Sequence, residues 1–185
     1  MVLLIAGILL SGILVATMLT REEESIFGSE YKITAIPENR LVQDENSANL
    51  CTITIRCDTI LDNADKLDEA KAPYVPDDGE ILPLITVEFT EGETVFDVLK
   101  RVCDAAQLQI EYSWTPLYDS YYVEGINHLY EFDCGFESGW MYKVNGWFPN
   151  YGCSAYNLQG GEEIVWCYTC TGLGTDVGAE REDLK

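Results

Sequence analysis

The sequence predicts an α+β fold in which a β-sheet packs on one amphipathic helix. Apolar and polar residues alternate from Leu50 to Cys57, with β-branched residues in the majority, and a second strand-like segment runs from Leu82 to Thr90; both are typical of half-buried strands. A capped helical pattern and several short strand candidates follow. Two strands, one helix and further strands are the order of a β-grasp-like domain. The alternative is a small β-sandwich with an accessory helix.

The predicted helix begins at a capping box, in which Thr94 is the N-cap residue and Asp97 stands three residues later. Apolar residues then recur at helical spacing, namely Val95, Val98, Leu99, Val102, Cys103 and Ala106. Such a stripe packs on a sheet, so we interpret it as core and not as a ligand surface. A short helix is also consistent with residues 62–71, between the first two strands.

Five short strand candidates follow the helix and are separated by Gly, Asn and Pro residues. They lie at residues 109–114, 121–126, 139–144, 154–158 and 163–170. Asn145-Gly146 predicts a tight hairpin turn, because both residues tolerate the positive φ of a type I′ turn. Residues 149–152 and 159–161 predict two more turns.

The N-terminal residues 2–20 carry no charge and are followed by Arg21 and an acidic triplet. At about 1.5 Å per residue, a helix of this length just crosses a hydrocarbon core of roughly 30 Å. The segment is therefore an export signal or an anchor, and the lack of a preceding basic residue favours an uncleaved transmembrane anchor. We expect an acidic polar stalk at 21–49, a folded domain at 50–178 outside the cytoplasm, and a polar tail at 179–185.

The charge of the chain argues against one class of partner. Its 185 residues include 11 Lys and Arg against 32 Asp and Glu, a formal net charge of −21. This charge repels phosphate backbones, so we expect no nucleic acid partner. The length suffices for one ordinary hydrophobic core with accessory segments.

Seven cysteines are present, and their placement argues against a dense disulfide framework. Cys51 and Cys57 alternate in step with the apolar residues of the first strand, and Cys103 lies on the apolar side of the helix. We interpret all three as small buried hydrophobes. Cys167 and Cys170 have the CxxC spacing of zinc and redox sites, but no second CxxC accompanies them, and we interpret the motif as structural.

Four segments of the chain follow the pattern of a known family. They are TVFDVL at 94–99, YVEGI at 122–126, SGWMYKVNGWFPNYG at 138–152 and YNLQGGEEIVWCY at 156–168. Over residues 50–178 the chain resembles a bacterial member of the transcobalamin-like C-terminal domain family. The resemblance implies a β-grasp-like fold and cobalamin as a ligand, since this domain covers one face of cobalamin in transcobalamin and intrinsic factor. Those carriers also use a large α-helical toroid domain, so the resemblance implies a helical-toroid or surface partner protein.

Aromatic residues are concentrated between Tyr121 and Tyr156. Strand parity places Trp140, Tyr142 and Val144 on one face, which we assign to the core. The turn beyond them is different, because loops commonly carry binding residues. The candidate ligand-binding residues are Asn145, Trp147, Phe148, Tyr151 and Tyr156.

Three carboxylates near Cys134 are candidate metal ligands. Glu131, Asp133 and Glu137 could hold Ca²⁺ through oxygen atoms, although their order lacks the regular D-x-D-x-D-G pattern. His128 stands without a nucleophile pattern such as GxSxG. We therefore predict no catalytic residue and no enzymatic activity.

The function that follows is an extracytoplasmic, membrane-anchored module that binds a ligand or partner, as part of nutrient capture with a corrinoid-like ligand. The alternative is a structural or adhesion domain of the cell surface without a small-molecule pocket. A compact domain with every aromatic side chain buried would favour this alternative.

Overall fold

The computed structural model describes residues 49–180. The predicted anchor at 2–20, the stalk up to residue 48 and the end of the polar tail lie outside the described residues. Within 49–180, no helix is long and apolar enough to cross a membrane.

The described part of the chain forms two β-sheets and one α-helix. In chain order the elements are β1 (Leu50–Arg56), β2 (Glu80–Glu88), α1 (Val95–Ala106), β3 (Ile110–Thr115), β4 (Ser120–Ile126), β5 (Leu129–Tyr130), β6 (Gly139–Val144) and β7 (Glu163–Thr169). Short 3₁₀-helices occupy Asp58–Asn63, Glu69–Tyr74, Cys153–Ala155 and Gly172–Val177. The predicted α+β class is therefore confirmed.

The main sheet has the strand order β2-β1-β7-β6. Its two central strands, β1 and β7, are parallel, with Ile53 opposite Ile164 and Ile55 opposite Trp166. The outer strands β2 and β6 run antiparallel to their neighbours. Because β7 is central, both of its edges are paired, and since one face packs in the main core and the other in a second apolar cluster, all its residues after Glu163 are buried.

The helix α1 begins as the sequence predicts. The Thr94 side chain accepts a hydrogen bond from the Asp97 backbone N–H, and the Asp97 carboxylate accepts one from the Thr94 N–H at 2.9 Å. The helix ends at Gln107, whose φ of 55° is left-handed. Its apolar stripe, from Val95 to Cys103, is buried in the main core.

The second, smaller sheet has the strand order β3-β4-β5 and is joined to the helix by aromatic rings. Phe96 of α1 stacks on Tyr121 of β4 with ring centroids 4.5 Å apart, and meets Tyr112 of β3 edge-on at 4.8 Å. The inner face of this sheet thereby extends the main core.

Strand parity on β6 predicts burial correctly. Trp140 and Val144 are buried in the main core, and Tyr142 packs against it. The opposite face of β7 contributes Val165 and Cys167 to a second apolar cluster, together with Phe148 and Ala179.

Two predicted elements are wrong. Residues 154–158 form no strand, because the chain there is held by side-chain bonds to β4, and Cys153–Ala155 is a 3₁₀-helix with an isolated bridge from Asn157 to Thr94. Residues 62–71 contain no single helix but the end of one 3₁₀-helix and the start of another. The other predicted strands agree with the structure to within two residues at each end, and β5 was not predicted.

Candidate functional site

An open groove of about 460 Å³ lies between the β3–β4 turn and the loop that follows the β6 hairpin turn. No charged side chain is among its lining residues, and most of them are aromatic or small. The lining residues are Thr115, Tyr118, Ser120, Tyr121, Tyr122, Pro149, Asn150, Tyr151 and Gly152. The groove therefore offers aromatic faces and neutral polar groups, a combination suited to an uncharged ligand with flat surfaces.

The two walls of the groove are held together by serine hydroxyls. The Oγ atoms of Ser120 and Ser154 lie 2.8 Å apart, and the Tyr121 backbone N–H donates to Ser154 Oγ at 3.0 Å. The Cys153 thiol adds a bond to the Tyr121 carbonyl at 3.5 Å. The 3₁₀-helix Cys153–Ala155 is thereby fixed against the first residues of β4.

Gly152 is required by the close approach of these walls. A Cβ atom at this position would lie 1.9 Å from Ser120 Oγ and 2.1 Å from Ser120 Cβ. Any other residue would force the loop away from β4. Because Gly152 has an ordinary extended backbone (φ −69°), steric contact and not backbone conformation selects glycine here.

The aromatic side chains of the groove differ in exposure. Tyr118 is 69% exposed, while Tyr122 and Tyr151 are about half exposed. Tyr121 is the more buried one, and Trp114 meets its ring edge-on at 5.1 Å. Since Tyr121 also stacks on Phe96, the base of the groove is rigidly attached to α1.

Tyr122 connects the groove to the acidic outer face of the smaller sheet. Its hydroxyl donates to Glu131 Oε2 at 2.8 Å. Burial, the hydrogen bond to Glu131 and the nearby Glu124 carboxylate all raise the pKa of Tyr122. The phenol therefore stays protonated and keeps donating to Glu131 at any physiological pH.

Three of the predicted ligand-binding residues form a row at the groove. Tyr151 lines it directly. The ring centroid of Trp147 lies 6.1 Å from that of Tyr151, and the ring of Tyr156 stacks on Tyr151 with centroids 6.0 Å apart. The Tyr142 hydroxyl donates to the Tyr151 carbonyl at 2.8 Å and fixes this loop to β6.

The other two predicted ligand-binding residues have structural contacts. Phe148 is only 3% exposed and belongs to the second apolar cluster. Asn145 and Gly146 have φ values of 51° and 80°, as the hairpin prediction requires. The Asn145 side chain accepts from the Glu163 N–H at 2.8 Å, so it connects the turn to β7 and does not line the groove.

The candidate metal ligands are not brought together. Asp133 pairs with Lys71 at 3.0 Å and accepts from the Tyr130 N–H, Glu131 accepts from Tyr122, and Glu137 accepts from the Gly172 N–H at 3.0 Å. Each of the three carboxylates is thus bonded to a different part of the chain. Within the described residues no group of three or more His, Cys, Asp or Glu side chains could hold a metal ion.

The CxxC motif and His128 occupy separate structural positions. Cys167 points to the second apolar cluster, whereas Cys170 belongs to the main core. Residues three apart on a strand face opposite sides of the sheet, so this motif cannot gather two thiols. His128 is an exposed turn residue with its ring 4.5 Å from Tyr74.

Sequence reasoning missed the half of the groove that precedes Tyr121. Thr115 ends β3 and Tyr118 lies in the β3–β4 turn, which has a Pro and an Asp but no aromatic concentration of its own. The exposed hydrophobics Trp114, Leu117 and Tyr118 in one short segment are the signal that could have revealed it.

Comparisons with known proteins show a similarity between the region that contains this site and one described domain type. The model of DUF4430, a domain of unknown function, matches residues 92–170, a span that runs from α1 to the end of β7 and includes every lining residue of the groove. No curated protein matches the chain. A solved structure from Ruminococcus gnavus ATCC 29149, described as a "putative metal binding protein", is similar with 12% identity and a TM-score of 0.39, over 65% of this chain and 96% of that chain. The transcobalamin-like resemblance stays a prediction.

Proposed function

We propose that this chain is a binding module whose ligand or partner occupies the aromatic groove. The observation that carries the proposal is the groove itself, in which neutral polar side chains stand among exposed tyrosines. Within residues 49–180, the side chains of Thr115, Tyr118 and Asn150 have no hydrogen-bond partner. Their hydroxyl and amide groups are available to a ligand, and the tyrosine rings supply contact area at low entropy cost.

The proposed module acts outside the cytoplasm and is held to a membrane through residues 2–20. The uncharged run of 19 residues supports an anchor. The net charge of −21 keeps the folded domain away from anionic lipid surfaces, which suits a domain held at a distance by a stalk.

The finer fold assignment in this proposal is a β-grasp-like domain. Parallel central strands β1 and β7, flanked by antiparallel β2 and β6, support it, as does one helix packed on the main sheet. The transcobalamin-like resemblance then suggests a corrinoid-like ligand. Because the groove is open, a helical-toroid or surface partner protein would cover the other face of that ligand.

The alternative is a structural or adhesion domain without a small-molecule pocket. Two observations favour the binding module over it. Trp114, Tyr118, Trp147 and Tyr151 are each more than 40% exposed, and a concave apolar site is present beside them. A purely structural domain has no need of aromatic side chains in solvent. We propose no catalytic role for either candidate.

The test is an equilibrium titration of the full chain in detergent with cyanocobalamin, followed by quenching of tryptophan fluorescence. We expect saturable binding that Tyr151→Ala weakens at least tenfold, because its ring lines the groove. Tyr118→Ala should weaken binding without changing the thermal midpoint, since this side chain is mostly exposed.

The matched control is Leu117→Ala. Leu117 is 84% exposed, stands next to Tyr118 and does not line the groove, so this variant should bind like the unaltered chain. If the chain shows no saturable binding, with or without a helical partner protein, the corrinoid assignment is wrong. If binding is present and survives both tyrosine substitutions, the groove is not the site.

A further inference from the structure

Two of the seven cysteines lie side by side although they are far apart in sequence. Cys134 is in the loop between β5 and β6, and Cys170 directly follows β7. Both are buried in the main core, with exposures of 0% and 3%. Burial raises the pKa of both thiols, and each side chain also affects the pKa of the other, so the two lie close together.

Contacts with a third element fix this pair in place. The Cys170 thiol donates to Thr59 Oγ1 at 3.6 Å, and the Cys134 thiol donates to the Asn63 carbonyl at 3.5 Å. Thr59 and Asn63 belong to the same 3₁₀-helix, where Asn63 Nδ2 donates to the Thr59 carbonyl at 2.9 Å. The Cys134 N–H is in turn held by Ser138 Oγ at 3.0 Å. Both thiols are therefore directed at one small region.

The other five thiols have no such partner among the described residues. Cys153 and Cys167 donate to backbone carbonyls of Tyr121 and Met141. Cys51, Cys57 and Cys103 are surrounded by apolar side chains of the main core. Within residues 49–180, no second pair of cysteine side chains interacts, which makes the Cys134–Cys170 contact specific.

We propose that Cys134 and Cys170 form an intramolecular disulfide when the chain folds in the presence of a disulfide oxidant. The thiolate of one cysteine attacks a sulfur of a small disulfide such as oxidised glutathione, and one glutathione thiolate leaves. The second cysteine thiolate then displaces the other glutathione from the mixed disulfide. Two protein thiols lose two electrons and two protons, and one small disulfide is reduced to two thiols.

The cross-link forms during folding and not in the finished fold. Burial raises the pKa of the Cys170 thiol to about 12, and burial also raises the pKa of Cys134. Buried, protonated thiols are poor nucleophiles. In the unfolded chain both are accessible, and folding brings them together. Oxidising compartments outside the cytoplasm are where such bonds persist.

The bond would enclose the segment from Cys134 to Cys170, which includes β6, the groove loop at 149–152 and β7. Cross-linking the ends of such a segment restricts mainly the unfolded chain. The cross-link therefore stabilises one wall of the groove without altering the groove itself. This inference does not depend on the ligand proposed above.

The test uses the full chain in detergent, unfolded with reductant and refolded in a buffer of oxidised and reduced glutathione. After denaturation and alkylation, we expect five alkylated cysteines and one cross-linked peptide pair containing Cys134 and Cys170. Peptide mass spectrometry of the unaltered chain gives this result without any substitution. Seven alkylated cysteines, or a cross-link between Cys167 and Cys170, would overturn the proposal.

Matched variants add a second readout. Cys134→Ala should abolish the cross-link, and Cys167→Ala should leave it intact. The oxidised unaltered chain should melt roughly 10 °C above its reduced form, and this difference should vanish in Cys134→Ala. An equal difference in Cys134→Ala would contradict the assignment.

Discussion

Ser120 Oγ and Ser154 Oγ lie 2.8 Å apart, across 34 residues of sequence, and join the start of β4 to the 3₁₀-helix Cys153–Ala155. Each hydroxyl also accepts a hydrogen bond from the backbone of the other wall. Ser154 Oγ accepts from the Tyr121 N–H, and Ser120 Oγ accepts from the Ser154 N–H at 3.3 Å. This reciprocal arrangement connects the two walls of the groove, and its strength can be measured.

Replacing Ser154 with alanine should destabilise the domain by about 1–3 kcal/mol, because the Tyr121 N–H loses its partner in a part-buried position. Chemical denaturation of the full chain measures this difference. Ser113→Ala is the control, since Ser113 is exposed on β3 and its substitution should change stability by less than about 0.5 kcal/mol. Equal losses in both variants would show that the serine pair has no special role.

Gly152→Ala should destabilise the domain by about 1–3 kcal/mol through overpacking against Ser120. Gly139→Ala is the matched control, because a Cβ there would lie 3.6 Å from the nearest heavy atom, an ordinary contact. Adding Ser120→Gly to Gly152→Ala removes the clashing atoms. The double variant should therefore show a favourable coupling in a double-mutant cycle, and strict additivity would count against steric contact as the cause.

Truncation of the neighbours Trp147 and Phe148 should change the free energy of unfolding by very different amounts. Phe148→Ala should lower the free energy of unfolding by about 3 kcal/mol, because the ring is buried in the second apolar cluster. Trp147→Ala should change it by less than about 1 kcal/mol, since this side chain is half exposed. Thermal denaturation of both variants checks the contrast. A stable Phe148→Ala variant would mean that this cluster contributes little to the fold.

Alkaline pH should destabilise the domain in the window between about pH 9 and pH 12. Burial raises the pKa of Cys103 from 9.0 to about 12, and the same holds for Cys51 and Cys167. Between these values the unfolded chain loses the proton and the folded chain keeps it, so stability is fully present below pH 9 and falls as the pH rises.

The slope of this loss can be assigned to a single thiol. Each such group contributes about 1.4 kcal/mol per pH unit within the window. Cys103→Ala should reduce the slope by that amount when unfolding is measured by denaturant at several pH values. The titration of lysines and tyrosines affects the unaltered chain and the Cys103→Ala variant alike. Identical slopes of stability against pH for the two would therefore rule out Cys103 as a contributor.

Local signals in the sequence were sufficient for much of the fold. The capping box at Thr94 and Asp97, the apolar stripe of α1 and the Asn145-Gly146 turn all depend on residues a few positions apart, and the structure contains each of them. Strand parity on β6 also predicted that Trp140 and Val144 are buried.

Long-range pairing was not accessible to the same reasoning. The parallel pairing of β1 with β7 joins segments separated by more than 100 residues. The same limitation applies to the groove, because its two walls meet through contacts between residues distant in sequence, such as Ser120 with Gly152 and Ser154. The predicted strand at 154–158 failed for this reason, since its backbone N–H at Ser154 bonds to the Ser120 side chain and not to a neighbouring strand.

The central place of β1 has a mechanical consequence. A force that reaches Leu50 along the chain is transmitted into this strand. β1 is hydrogen-bonded on both sides, to β2 and to β7, by bonds that run across its length. A pull along the strand loads these bonds in shear, and they must break together. The domain should therefore resist tension from its N-terminal side better than one that is pulled open from an edge strand.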